Sequence, residues 1–578
     1  MTATVLERVA DALQRCPDAP ALTLHEPSSP GGRQDFSYAR LHALAGGAAQ
    51  RLRELGLRRG DTLVVAQPTG TASLGAYLAS LYEGFLPVIV APLRGDRDVG
   101  PYAAQVQEIA QAVGARRVLL SDDACERLKG SLGETATVLG PLDERAPERA
   151  PDAAPDAIAH LQATSGSTGR PKLAVIRHRN VAANVAAIGR AIDEREGDLI
   201  ASWLPLYHDM GLICVSCALH WRRPLVLCDS ALFARHPLRH WPGVISAHGA
   251  TISPAPASAY HVCAKLALHR KVEGLDLSRW RVGFCGAEPV HAQTLDLFRR
   301  AFGPYGLHDM TVLPVYGLAE STLAVTIPEV PSRPHVERVE RRALADERRA
   351  RPLAGDDGAA ALELVAVGRV LPGHELRVRS ESGAMLPERE VGEIEVRGPS
   401  VIDGYWPASP GAPEAVAAAD GWLATGDLGF VSDGRLFVTG RKKDLVIHRG
   451  RNLLPDRVEA VVGEALDGRL PGTVAAVGVW SESEGTDLLH VLIESVEAPP
   501  PDAPAAEERL RRALESAFDV SGATLHWVKK GGLPKTTSGK LQRHRCRALV
   551  APRAADAAPR AEPVAARAGG PSGLTHSA

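Results

Sequence analysis

Thr164-Ser165-Gly166-Ser167-Thr168-Gly169-Arg170-Pro171-Lys172 is the most informative stretch of the chain. It follows the mostly apolar run 158–161, and the pattern beyond it predicts that a helix comes next. Its glycines let the backbone turn several N–H groups toward one anion, and the hydroxyls of Thr164, Ser165, Ser167 and Thr168 add donors. Lys172 can place a positive charge on phosphate oxygens. The G-x-x-x-x-G-K-[ST] pattern of P-loop nucleotide sites is not met, because Lys172 follows a proline and Leu173 comes next. A shorter piece would read as a Ser/Gly-rich surface loop. The full string of turn formers, hydroxyls and a terminal cation describes a phosphate cradle.

Outward from this loop, short apolar runs alternate with helical patterns. Segments 62–66, 88–90, 117–120 and 199–203 read as buried strands, and 181–192 and 294–302 as helices between strands, which predicts α/β layers with parallel sheet. Beyond residue 360 the pattern changes. Segments 375–379, 392–397 and 435–439 alternate with turn signals such as Asp433-Gly434, the mark of a smaller β-rich unit. From about 443 the order is strand 445–448, helix 455–466, strands 474–480 and 488–493, a Pro-rich loop and helix 505–518, a small α+β domain. The charge-dense stretch 337–351 reads as a solvated helix or loop. Segment 551–578, rich in Ala, Pro, Arg and Gly, reads as a disordered tail.

Composition narrows the class. A chain of 578 residues implies several domains at ~100–200 residues each. Hydrophobic residues at 45% exclude a disordered protein, and 66 basic against 68 acidic residues give no reason to expect nucleic acid or an anionic membrane. The N-terminus lacks the basic start and apolar run of a signal peptide, and no stretch approaches the ~18 apolar residues of a membrane span. Cys214 and Cys217 form a lone C-x-x-C without a second pair at metal-site spacing, so they read as small core residues. A soluble, cytoplasmic protein with reduced thiols, without membrane insertion, is expected.

Four further segments follow the loop in order: Tyr316-Gly317-Leu318-Ala319-Glu320-Ser321-Thr322, Trp422-Leu423-Ala424-Thr425-Gly426-Asp427, Gly440-Arg441-Lys442-Lys443-Asp444 and Leu533-Pro534-Lys535-Thr536-Thr537-Ser538-Gly539-Lys540. Together the five resemble the motifs of the adenylate-forming superfamily, which holds acyl-CoA synthetases, peptide-synthetase adenylation domains and luciferases. The resemblance spans about residues 1–550. It implies an α/β fold: a large N-terminal domain of layered α/β sheets with a β-rich subdomain (1–441), a small mobile α+β C-terminal lid (442–550) and the tail (551–578). It also implies that Thr164, Ser165, Gly166, Ser167, Thr168, Gly169 and Lys172 hold nucleotide phosphates and that Tyr316 and Gly317 lie at adenine. By the same resemblance Glu320 holds Mg²⁺, Asp427 with Arg441 binds the ribose hydroxyls, Lys443 is a hinge, and Lys540 is catalytic. The chemistry suits these residue types. Attack of a carboxylate on the α-phosphate of ATP brings two anions together, so the site must neutralise charge and align oxygens. Mg²⁺ would stabilise departing pyrophosphate, and a glutamate is a hard oxygen ligand for it.

Two segments point to one branch. Ser202-Trp203-Leu204-Pro205-Leu206-Tyr207-His208-Asp209-Met210-Gly211-Leu212-Ile213 and Gly286-Ala287-Glu288-Pro289-Val290 are similar to signatures of fatty acyl-AMP ligases, as is the run from Gly426-Asp427-Leu428-Gly429-Phe430 through Gly450-Arg451-Asn452. The resemblance puts Gly286, Ala287 and Glu288 beside adenine and His208 toward substrate or phosphate. It implies activation of a carboxylic acid, a fatty acid in this branch, followed by transfer to the phosphopantetheine thiol of an acyl carrier protein. That acceptor is expected on a separate chain. An extra segment that hinders use of CoA is expected around 344–367. An acyl-CoA or aryl-CoA ligase is the alternative; a non-catalytic relative is expected to lack Lys540, Glu320 or Asp427. The chain departs from the pattern at Ala163, Leu173, Cys214 and Ala257-Ser258, and the last two sites leave the identity of the acid open.

Overall fold

The computed structural model describes residues 2–551 apart from 27–31, 94, 96–98, 165–171, 354–360, 408–410, 412, 449–450, 467–472, 519, 521 and 537–539. Most of the Ser/Gly loop, the 537–539 segment before Lys540 and the tail therefore lie outside the described residues.

Two large sheets form the body. Strand Thr62–Ala66 is buried at every position, which is why it reads as a continuous apolar run instead of an alternation. It pairs in parallel with Leu86–Ile89 and Arg117–Leu120 inside an eight-stranded sheet. The second sheet, of seven strands, holds Ile200–Ser202, Leu225–Cys228, Ile252–Pro256, Val282–Gly286 and Val312–Pro314 in parallel, closed by the antiparallel pair Pro20–His25 and Arg33–Ser37. Helices Thr71–Glu83, His178–Ala191 and Asp209–Trp221 are largely or wholly buried and join the two sheets in one core. A second core gathers Trp241, Tyr260, Trp280 and Phe298 in edge and stacked contacts. No described helix is long and apolar enough to cross a membrane.

The fold corrects the expectation that a helix follows the Ser/Gly loop. Strand Ile158–Thr164 runs into the loop and strand Lys172–Arg177 leaves it, antiparallel, with Thr164 paired to Lys172. Helix His178–Ala191 begins only after that second strand. The loop is thus clamped at both ends in the eight-stranded sheet.

Beyond residue 360, strands Glu375–Arg379, Gly392–Arg397, Leu423–Ser432 and Arg435–Arg441 form an antiparallel sheet, turning at Asp433 and Gly434, both at positive φ. The charge-dense stretch is not a solvated segment. Val336–Glu340 is a strand paired with Ala361–Val365, Arg341–Asp346 is a helix, and Glu337 is held by Arg389 at 2.8 Å and Ser432 at 3.0 Å. Its Val339 and Leu344 share a buried core with Phe430 and Phe437, which is what the charge count concealed.

Residues from Val446 onward build their own core of Val446, Val458, Val462, Val491, Leu510 and Leu514. Strand Thr486–Ser495 pairs antiparallel with Val474–Ser481 and parallel with Thr524–Lys529; helices Pro455–Ala465 and Ala503–Phe518 pack alongside. The two parts touch: Gln293 donates to Glu464 at 2.8 Å, and helix Arg341–Asp346 packs on strand Arg451–Leu453.

Candidate active site

Three groups of side chains converge where the parallel strands end and the β-rich sheet begins. The first surrounds Asp427, a buried carboxylate on strand Leu423–Ser432. Tyr316 donates its hydroxyl to one oxygen at 2.7 Å and Arg441 donates Nε to the other at 2.8 Å. Burial first, and the adjacent Asp427 charge second, push the Tyr316 phenol well above its usual range, so it stays a donor. A carboxylate has about four lone-pair sites, so each oxygen can accept one more hydrogen bond.

Tyr316 and Gly317 form a two-residue strand against Ala324–Ile327. A Cβ on Gly317 would lie 2.0 Å from the Leu323 carbonyl oxygen, so only glycine fits. Gly286, at the end of its strand, abuts Val315 in the same way, with a virtual Cβ 2.8 Å from Val315 O. The segments 286–288 and 316–317 therefore lie side by side. Ala287 takes a left-handed φ of 61°, uncommon for a residue with a Cβ. The Glu288 carboxylate accepts the Ser258 amide at 2.9 Å and so caps the helix Ala257–His269.

The second group centres on Glu320, in a short turn of 3₁₀ helix. Tyr405 donates its hydroxyl to Glu320 Oε1 at 2.6 Å, while Lys172 Nζ lies 4.8 Å from the Tyr405 ring centroid. Tyr405 thus links the cation that ends the Ser/Gly loop to the glutamate. It was missed in the sequence because its two-residue strand, Gly404–Tyr405, has no periodicity to betray it; it reaches the site by pairing with Ala174. Oε2 of Glu320 makes no hydrogen bond or ion pair among the described residues, and Mg²⁺ commonly takes one or two carboxylates beside substrate phosphates. The donor set fits that ion.

Just past Glu320 the backbone is strained. Thr322 has φ 66° and ψ −55°, and Leu323 N donates to Ser321 O at 2.7 Å, a γ-turn that a β-branched residue adopts only under constraint. A buried network supplies the constraint. Asn184 donates to Ala324 O at 2.9 Å and Ser400 Oγ at 3.0 Å and accepts from Ala324 N at 3.2 Å. Thr322 Oγ1 donates to Ser400 O at 2.7 Å, and His374 Nε2 meets Ser400 Oγ at 2.7 Å. Burial holds the His374 imidazole below its usual pKa and favours the neutral ring.

The third group is His208-Asp209 at the start of helix Asp209–Trp221, where His208 is the N-cap. His208 Nδ1 lies 2.6 Å from Asp209 Oδ1, and Met210 N donates to that same oxygen at 2.7 Å. Burial alone would raise the Asp209 carboxyl. The charge and hydrogen bond of His208, together with the positive charge of Lys540, outweigh it and bring the group down to about 2. Lys540, from the small domain, therefore lies within electrostatic reach of the large domain's His208-Asp209 pair. Its backbone is fixed: Thr536 N donates to Lys540 O at 2.7 Å and Lys540 N to Thr536 Oγ1 at 3.0 Å.

Lys443 sits mid-turn between strands Arg435–Arg441 and Val446–His448. Its neighbours are tied to opposite sides: Lys442 to Glu393 of the β-rich sheet at 2.8 Å, Asp444 to Arg543 of the small domain at 3.3 Å. Cys214 and Cys217 are buried free thiols, and no group of three or more His, Cys, Asp or Glu among the described residues could hold a metal.

A domain of AMP-binding enzymes matches residues 9–406. The chain therefore belongs to that family and is an adenylate-forming ligase. It is 34% identical to a Caulobacter vibrioides protein named as an acyl-CoA synthetase, over 88% of this chain and 89% of that one. It is also 34% identical to the long-chain-fatty-acid–AMP ligase FadD26 of Mycobacterium bovis, over 92% and 94% respectively. A solved structure from work on fatty acyl-adenylate ligases of E. coli and L. pneumophila superimposes with a TM-score of 0.83 at 30% identity, covering 94% of this chain and 97% of that chain.

Proposed function

We propose that the protein joins a fatty acid to AMP and then passes the acyl group to the phosphopantetheine thiol of a separate carrier protein. The observation that carries the reading is the approach of Lys540 to His208-Asp209, with Glu320, Asp427 and Lys172 in the same site. In the first half-reaction a carboxylate oxygen attacks the α-phosphorus of ATP and the bond to pyrophosphate breaks. Asp427 and Arg441 hold the ribose, Tyr316 and the 286–288 segment flank adenine, and the Thr164–Lys172 loop receives the phosphates. The Lys540 ammonium bridges the incoming carboxylate and the α-phosphate, a stabilisation strongest in the transition state. Mg²⁺ held by Glu320 would neutralise phosphate charge. Rotation about Lys443 then withdraws Lys540 and admits the thiol, whose sulfur attacks the acyl carbon and expels AMP.

The fatty acid rests on the likeness to the FadD26 ligase and to the solved acyl-adenylate ligases. Transfer to CoA is the second reading, favoured by the Caulobacter relative. One experiment tests both. Pyrophosphate release is screened over acids of increasing length, then CoA or a phosphopantetheinylated carrier is added to the acyl-adenylate. Carrier acylation without acyl-CoA supports the proposal; acyl-CoA as the main product overturns its second half. Lys540→Ala should lose adenylation by at least 100-fold yet keep transfer from supplied acyl-AMP. A variant that still adenylates normally would refute the lysine's role.

A further inference from the structure

Between the large domain and the small one lies a cavity of about 140 Å³ whose lining holds none of the site residues above. Helix Arg341–Asp346 forms one wall; Leu445, Arg451, Leu453, Leu454, Arg457 and residues 515–518 form the other. Leu344, Leu428, Leu454 and Phe518 make much of the lining apolar. Five arginines line it, and two of them, Arg341 and Arg457, are largely buried, one in each domain.

Neither is satisfied by the protein. Arg341 gives one NH to Ala361 O at 3.0 Å and lies 5.8 Å from the Phe518 ring centroid, but its Nε is buried without a hydrogen-bond partner. The Arg457 guanidinium makes no hydrogen bond or ion pair among the described residues; only its backbone N–H is engaged, by Leu454 O at 3.0 Å. Burial pulls both guanidiniums below their usual pKa; the Glu464 charge offsets part of this in Arg341 and the Asp456 charge part of it in Arg457, where the like charge of Arg341 adds to the lowering. Of the three other arginines on the lining, Arg342 is exposed to solvent, Arg348 pairs with Glu381 at 2.8 Å and Arg451 donates to Phe518 O at 3.0 Å. Asp346 and Glu515, also on the lining, are exposed and form no ion pair with Arg341 or Arg457. The carboxylates that act on them, Glu464 and Asp456, are engaged by Gln293 and Arg543 and form no ion pair with either arginine. Guanidinium stays charged in proteins, so two buried cations beside an orphaned N–H and apolar walls can accept an anion.

We propose that this cavity binds a phosphomonoester, its phosphate between Arg341 and Arg457 and its organic part against Leu344, Leu454 and Phe518. A tetrahedral phosphate presents oxygens toward both walls and carries nearly two negative charges; a carboxylate presents two coplanar oxygens and one charge. The occupant touches both domains, so it binds only when they are apposed as here and holds them so, by RT ln(1 + [L]/Kd). The site therefore governs how readily the small domain turns.

Calorimetry with phenyl phosphate on the full chain tests this. Binding is expected in the parent, weakened at least tenfold in Arg457→Met and equally in Arg341→Met, and retained in Lys172→Met, which alters the Ser/Gly loop. Phenyl phosphate should also slow proteolysis at the 442–445 junction in the parent and not in the arginine variants. Should Arg457→Met fail to fold, Arg341→Met decides alone from the opposite wall. Absence of binding at millimolar concentration, or binding lost in Lys172→Met and kept in both arginine variants, overturns the proposal.

Discussion

Asn184→Ala isolates the support behind Glu320. The Asn184 side chain is fully buried, and its amide serves both the N–H and the C=O of Ala324 as well as Ser400 Oγ. Truncation removes the Asn184 partner of the Ala324 N–H and C=O, while Ser400 Oγ keeps His374. Each orphaned buried group costs about 1–3 kcal/mol, and a water admitted to the vacated space offsets part of this, leaving a loss of roughly 2–5 kcal/mol. The γ-turn at Thr322 itself stores about 1–3 kcal/mol of strain, so a net loss of that size lets the turn relax and carry Glu320 away from Tyr405. The assay has two arms. Urea unfolding of the large domain, followed through Trp241 and Trp280 in its core, reads the stability loss. Pyrophosphate release against Mg²⁺ concentration should show half-saturation raised at least fivefold, with the acid's KM unchanged. Loss of under about 1 kcal/mol together with an unchanged Mg²⁺ requirement would refute the reasoning.

Glu320→Gln keeps an acceptor for the Tyr405 hydroxyl but removes the charge, so adenylation should fall at least 100-fold with little change in urea midpoint; a parental rate at limiting Mg²⁺ excludes the metal role. Asp427→Ala leaves Tyr316 and Arg441 without their acceptor, and ATP affinity measured by calorimetry should drop at least tenfold. Lys443→Pro fixes φ between the anchored Lys442 and Asp444, and the two half-reactions, assayed separately, should be slowed unequally; equal effects speak against a hinge.

The sheets were legible where local pattern carried them. Strands Glu375–Arg379 and Gly392–Arg397 match the reading to the residue, because alternation and turn signals bound them on both sides. Helix Arg543–Val550 and strand Thr524–Lys529 were not anticipated. The strand has four half-buried positions in a row and no alternation, and a parallel partner is needed to define it. The hairpin around the Ser/Gly loop was misread because strand Lys172–Arg177 runs into the helix at His178 without a break, so its apolar run looks like the helix's first turn. Motifs located Asp427, Glu320 and Lys540 individually. What joins them was invisible: Tyr405 lies 85 residues from Glu320, and Ser400 lies 216 from Asn184. Hydrogen bonds at such separations leave no local trace in composition or period.

The bonds that tie Lys540 to Thr536 have a kinetic meaning. Two hydrogen bonds join Thr536 to Lys540, and Lys535 is bridged to Leu541, so the backbone of the lysine is tied to the small domain that carries it. Under the hinge proposed at Lys443, moving the lysine means moving that whole domain through water, so solvent friction and one rotational barrier would set the pace of its arrival and departure.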